Sequence, residues 1–317
     1  MGEHLKLIRD ILTSVLVWVA VVFFLTAIIL IPNERPEIRY DLEYLERTEQ
    51  YISDRRSLDW ELYFDRIVDF FGTMIKEKSL GMTPYHKPVW DEFKHYASLS
   101  LKIVIPSILI SFLLGVVKGI YDFRTIKRPM SLFGHRFTNL SLAIPDFFVV
   151  LGIQVIVIYL IKFGVLPWMS LYGNETASHY FFAILFLTYY PTFYIAKITT
   201  TSLNEEAGYD YIRTAISKGT SERKVVTRHM LANVWLKVFS QFTTLVLYLL
   251  SNLFIVEYIM LWNGAAFKFY VSIADPRQMD PTLSFVFIIF FTGIVLIAQI
   301  ISKIISFRIL AKEGVKQ

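Results

Sequence analysis

The sequence predicts an all-α membrane protein with six transmembrane helices, and three observations carry that prediction. Hydrophobic residues make up 55% of the chain and charged residues only 19%, with a mean hydropathy of +0.49. A water-soluble domain averages about 25% charged residues, so this chain lacks the polar surface that 317 residues would need in water. The apolar residues are also gathered into runs, and Ile11 to Ile31 holds 21 residues without a charge. At about 1.5 Å per residue such a helix spans roughly 30 Å, the thickness of a bilayer's hydrocarbon core. Finally, Lys and Arg collect in alternate connections between the runs, which is the pattern that membrane orientation imposes.

In chain order, the predicted spans have their cores at Ile11–Ile31, Leu99–Val117, Phe137–Ile161, Tyr180–Ala196, Val238–Val256 and Thr282–Ser302. The first exceeds the ~7–15-residue core of a signal peptide and ends in Pro32-Asn33-Glu34-Arg35, so it is read as a retained helix. Lys102 lies near one end of the second, where its long side chain can snorkel to the interface. Pro106, Pro145 and Pro191 fall inside spans two, three and four. Membrane helices tolerate such prolines because neighbouring groups satisfy the freed carbonyls.

The connections set the orientation. Lys118–Arg136 carries five Lys/Arg, Lys197–Lys237 seven, and the tail from Lys303 four, whereas Gly164–His179 carries none. Glu257–Pro281 has only Lys268 and Arg277. Both termini are therefore expected in the cytoplasm. The segment from Pro32 to Tyr96 has ten Lys/Arg and fourteen Asp/Glu, too long and too mixed for the rule to apply. Its Asp59–Phe71 part has helical apolar spacing, while Glu34–Arg56 reads as a solvated helix or loop. The expected organisation is an N-terminal tail and helix over 1–31 and an extracellular subdomain over 32–96. A five-helix core over 97–310, with a cytoplasmic loop at 203–233, and a cytoplasmic tail over 311–317 complete it.

Several function classes are excluded. The net charge of +5 is scattered among hydrophobic spans, so no nucleic-acid partner is expected. The absence of cysteine removes disulfides, thiolate metal sites and cysteine nucleophiles. No G-x-x-x-x-G-K-[ST] phosphate loop occurs, so any ATP must be hydrolysed by another subunit. The six histidines are dispersed and form no H-E-x-x-H pattern. No catalytic residue, metal site or cofactor is expected, and membrane lipid is an expected partner.

The informative stretch lies between spans four and five. It reads as two short helices, the first over about Glu205–Lys218 and the second over about Glu222–Asn233. Ala207, Tyr211 and Ala215 fall on one helical stripe, with Ile212 and Ile216 beside it. Glu205, Glu206 and Asp210 precede Arg213 and Lys218, an order that suits the helix dipole. Gly219 fits a left-handed stop and Ser221 an N-cap. Such an elbow, tied to two membrane helices, can pass a push from a soluble partner into the membrane.

Here a resemblance enters. Asp210-Tyr211-Ile212-Arg213-Thr214-Ala215, Lys218-Gly219, Ser221-Glu222-Arg223 and Arg228-His229 resemble the ATPase-coupling loop of ABC importer permeases of the oligopeptide/dipeptide/nickel uptake family. Lys78–Gly81 with Pro88-Val89, Leu142–Pro145 with Phe163–Pro167, and Val256-Glu257 with Trp262-Asn263-Gly264 resemble further blocks of that family. The early first span followed by a large outer segment resembles its B-type permease. The sequence departs from the family pattern at Lys78-Ser79, Asp146 and Ala265-Ala266, and the terminal Asp-Pro-Arg often found in the family is not present.

The resemblance implies a type I importer (MetI-like) fold with an extracellular insertion after helix 1. It implies a C-type permease as partner, two ABC ATPase subunits, an external solute-binding protein, and short peptides as cargo, with nickel or metal chelates as a variant. The ATPase-coupling residues it implies are Glu205, Gly208, Asp210, Tyr211, Arg213, Thr214, Ala215, Lys218, Gly219 and Arg223. Asp146, an ionisable residue in a span, and Glu257, just past span five, are candidates for the translocation path or, for Glu257, for bracing the segment Glu257–Tyr270. Two competing classes remain: a secondary transporter, and a membrane sensor using 32–96 as its ligand module.

Overall fold

The computed structural model describes residues 2–31, 60–126, 131–275 and 278–314. Their helices are α1 (Gly2–Ile29), α2 (Trp60–Glu77), α3 (Val89–Thr125), α4 (His135–Ala143), α5 (Asp146–Lys162) and α6 (Ala177–Glu206). There follow α7 (Asp210–Ser217), α8 (Glu222–Lys224), a π-helix (Val225–Met230), α9 (Leu231–Ser240), α10 (Phe242–Ile259), α11 (Ala265–Ala274) and α12 (Pro281–Gly314). Among the described residues, α1, α3, α6, α10 and α12 are long and apolar enough to cross a membrane. The predicted stretch Glu34–Arg56 lies outside the described residues.

The third predicted span is not one straight helix. It is broken into α4 and α5, which meet at 97° around Pro145; counted as one span, the pair makes the sixth. A proline ring disfavours the helical conformation in the residue before it, and Ile144 accordingly adopts extended backbone at φ −87°, ψ 125°. Pro106 and Pro191 leave α3 and α6 unbroken. The second span also runs further than its apolar core, so Lys118 and Asp122 are helical rather than in a loop.

The chain forms two compact units. One gathers Met1–Trp18, Lys94–Lys268 and Phe290–Gln317; the other gathers Val19–Phe93 and Phe269–Ile289. In the first, α6 is the hub and packs against α4, α5, α9 and α10. Gly115 and Gly119 of α3 also face it. A Cβ on Gly115 would stand 2.6 Å from the Ile195 Cβ, and one on Gly119 2.5 Å from the Thr199 Cβ. This Gly-x-x-x-Gly spacing lets two backbones approach where lipid offers no hydrophobic drive between helices. Thr200 uses the closeness, donating from Oγ1 to the Gly119 carbonyl at 3.0 Å. One turn away, fully buried Asp122 is paired with Lys118 and accepts a bond from Thr138 of α4, which satisfies a charge that would be costly alone.

In the second unit, α2 packs on residues 19–29 of α1 and on the start of α12. Phe71 stacks on Phe23 at 6.0 Å, and Phe70 meets Phe285 edge-on at 5.6 Å. The Tyr63 hydroxyl donates to the Ala27 carbonyl at 2.8 Å, taking up one of the free carbonyls at the end of α1. The two parts of the block Lys78–Gly81 and Pro88-Val89 are joined, with Val89 N–H on the Gly81 carbonyl at 3.2 Å. Asp280 caps α12, accepting from Leu283 N–H at 3.0 Å, and Pro281 takes the first helical position, where no N–H is needed.

Candidate coupling elbow

The elbow is built where α6 stops. Ala207 N–H closes on Leu203 and Gly208 N–H on Glu205, and Tyr209, in extended backbone, starts α7. The short helix therefore begins at Asp210 rather than near Glu205. Glu205 and Glu206 belong to the last turn of α6, and Ala207 to its cap, so the stripe Ala207–Tyr211–Ala215 does not form. Ile212 is the buried residue of α7, at 2% exposure, and anchors it instead.

The far end of α7 closes as the glycine requires. Gly219 has φ +77°, its N–H bonds to Ile216, and Thr220 N–H bonds to Ala215, which together form a Schellman stop. Ser221 does occupy the N-cap position of α8, although its side chain makes no cap bond. The second helix is not a plain α-helix: it passes through a π-turn before α9. The wider π spacing brings Val225, Val226 and Met230, all buried, to one side of the chain.

A polar knot holds these pieces together. The Glu206 side chain, only 6% exposed, accepts hydrogen bonds from the Tyr211 hydroxyl and, at 2.8 Å, from Asn233 Nδ2. Asn233 Nδ2 also lies 2.9 Å from the Tyr211 hydroxyl. Burial, together with the Glu206 carboxylate at its hydroxyl, pushes the Tyr211 phenol well above its usual range. Beside the knot, Lys237 Nζ meets Glu205 Oε2 at 2.6 Å, and that bond raises the ammonium pKa. The ends of α6, α7 and α9 are thus tied by one cluster.

The remaining candidates lie around this knot. Glu205, Gly208, Asp210, Tyr211, Arg213, Thr214, Lys218, Gly219 and Arg223 are exposed, and Ala215 is half-buried. Asp210 and Arg213 stand 3.6 Å apart with side chains 96% and 74% exposed; such a pair contributes little to stability and leaves both charges at the surface. Sequence reasoning missed Glu206, Asn233 and Lys237 as working residues. The signal available for Glu206 was a carboxylate at a helix C-terminus, where the dipole disfavours it.

The structure does not bring Asp146 and Glu257 to the elbow. Asp146 opens α5, half-buried, and accepts from Phe147 N–H at 2.8 Å; a helix N-terminus suits its charge. Glu257 lies inside α10 with no exposed surface and accepts from the Ser100 hydroxyl and, at 2.8 Å, from Phe267 N–H. Ser100 in turn accepts from Ala265 N–H at 2.7 Å, so carboxylate and hydroxyl together cap α11. Gly264 is required there, because any Cβ would collide with the Glu257 carboxylate.

Residues 107–311, which contain the whole elbow, match the family model described as "Binding-protein-dependent transport system inner membrane component". Among similar proteins, the dipeptide transport system permease protein DppB of Bacillus subtilis is 26% identical over 230 residues, covering 72% of this chain and 70% of its own. The oligopeptide transport system permease protein AppB of the same organism is 29% identical over 254 residues, 75% of each chain. The glutathione transport system permease protein GsiC of Escherichia coli is 26% identical over 178 residues, 56% of each. A chain of the MetNI methionine ABC transporter, solved in inward-facing conformations, superposes with a TM-score of 0.53 at 15% identity, covering 68% of this chain and 95% of that one. That likeness bears out the MetI-like fold, and the relatives bear out the resemblance to the oligopeptide/dipeptide-type B permease. The chain belongs to the binding-protein-dependent transport system inner membrane component family, and is a multi-pass membrane permease.

Proposed function

We propose that this chain is the B-type permease subunit of an ATP-driven importer of short peptides, contributing half of the translocation path. A C-type permease supplies the other half, two ATPase subunits hydrolyse ATP, and an external binding protein delivers cargo. The observation that carries the reading is the construction of the elbow. Tyr209, at the N-cap, and Tyr211, Arg213 and Ile216, on the short helix α7, are exposed, while Ile212 and the Glu206 knot keep that helix attached to α6 and α9. A partner that grips the exposed face moves the membrane helix α6 together with α9, which leads into the membrane helix α10. The peptide class is supported by relatives named for dipeptides, oligopeptides and glutathione.

In this reading both termini and the 203–233 loop face the cytoplasm, and the segment around α2 faces outward. Asp146, at the break between α4 and α5, lines the path in this reading. Glu257 acts by bracing the turn that follows α10. The test is a pull-down in mild detergent of the wild type beside an Arg213→Glu, Gly219→Pro double variant. The expected result is an ATPase and a second permease with the wild type, and loss of the ATPase alone with the variant. A stable wild-type chain that brings down no ATPase in several detergents would overturn the reading.

A further inference from the structure

We propose that α2 is an interfacial membrane helix whose stripe Trp60, Phe64, Val68 and Ile75 is covered by lipid acyl chains. Apart from Leu62, which falls among the polar residues, the helix divides by type. At 100° per residue, its apolar residues from Phe70 and Tyr63 round to Ile75 and Val68 share one arc, and Glu61, Asp65, Asp69, Thr73, Arg66 and Glu77 lie on the opposite one. The polar arc is already used: Arg66, Asp69, Thr73 and Glu77 line a cavity of about 900 Å³. Part of the apolar arc is used too, through Tyr63, Phe70 and Phe71 on α1 and α12. The remaining residues on its Val68 side stand out from the protein, with Trp60 62%, Phe64 59%, Val68 68% and Ile75 75% exposed.

The position of α2 identifies what covers that stripe. Ala27 is in the last turn of α1, and Phe23 lies about one turn deeper, so α2 leans along the end of a membrane-spanning helix. On that stretch of α1, Val19, Phe23, Phe24 and Ile28 are 52%, 54%, 63% and 47% exposed, and in a membrane they meet hydrocarbon. The Phe23–Phe71 stack joins the two surfaces, so the exposed stripe of α2 continues a lipid-facing one. Amphipathic helices of this kind settle about 5–10 Å into the boundary between headgroups and acyl chains. Trp60 and Tyr63, at the entry end, are the aromatic types enriched at that level.

The chain has no cysteine, which permits a direct test in the full-length protein. Single variants Val68→Cys and Ile75→Cys, with Asp65→Cys as polar-arc control, are spin-labelled and reconstituted into phosphatidylcholine/phosphatidylglycerol vesicles. Collision rates are then measured with oxygen, which partitions into lipid, and with a water-soluble nickel chelate. Lipid contact gives labels at 68 and 75 that favour oxygen over nickel several-fold, with the ratio reversed at 65. Labels at 68 and 75 that favour nickel would show a water-facing stripe, and labels shielded from both reagents would show a protein cover; either result overturns the proposal. The outcome is independent of what the permease carries.

Discussion

Glu206 and Glu257 each stand in the last turn of a long helix, where free carbonyls disfavour a carboxylate, and each reaches across the following turn to hold a short helix. The two turns are stiffened differently. Glu257 is fully buried, is bonded by a backbone N–H and a serine, and is pressed on by a glycine that admits no side chain. Glu206 is bonded by two side chains, one of them the 41%-exposed Tyr211. Side-chain ties can re-form after a small rotation, whereas a backbone cap beside a close-packed glycine cannot. The turn after α10 is therefore a fixed corner, and the turn after α6 a joint whose pieces stay attached while they tilt.

The largest effect is expected at the corner. Glu257→Ala leaves the Ser100 hydroxyl and Phe267 N–H without their acceptor in a dry site, at about 1–3 kcal/mol for each orphaned group. Its melting temperature in detergent should fall by far more than that of any elbow variant, and Gly264→Val should behave alike. Equal melting of Glu257→Ala and wild type would remove the distinction between the two turns.

A smaller stability loss, roughly 1–2 kcal/mol, is expected for Glu206→Ala, because water can reach Tyr211 and Asn233 still bonds to it. In the proposed importer its functional loss should be out of proportion: assembly with the ATPase persists while cargo-stimulated ATP hydrolysis falls. Glu206→Gln, which keeps an acceptor, should recover most of that coupling. If the alanine variant couples normally, the knot is a packing detail and α7 is held by Ile212 alone.

The smallest effect concerns pH. Folding raises the Tyr211 phenol above its usual 10.0, by burial first, and the Lys237 ammonium above 10.5, by its bond to Glu205. A group raised by folding contributes stability that is fully present below its unfolded pKa and is lost as pH rises through its folded one. These two groups therefore loosen the elbow only on the alkaline side, above about pH 10. The tyrosinate absorbance that separates wild type from Tyr211→Phe should appear later in an alkaline titration than that of the exposed tyrosines. Ionisation together with them would mean that the knot is open in solution.

What could be read from the chain alone follows from local chemistry. The spans were legible because hydrocarbon excludes charge over about 20 residues at a time. The stop at Gly219 was legible because a left-handed residue after Lys218 favours glycine, and the helical spacing over Asp59–Phe71 because its period is local, although the helix runs on to Glu77. Tertiary structure decided the rest. Pro145 breaks its span while Pro106 and Pro191 do not, since proline removes one bond everywhere but the neighbours determine whether the helix continues. The partner of Glu206 lies 27 residues away in Asn233, and that of Glu257 lies 157 residues away in Ser100. Gly115 and Gly119 acquire their role only when Ile195 and Thr199 arrive opposite them. A residue's own chemistry states what it needs, such as an acceptor, a close neighbour or a dry face; only the packed chain determines which distant residue supplies it.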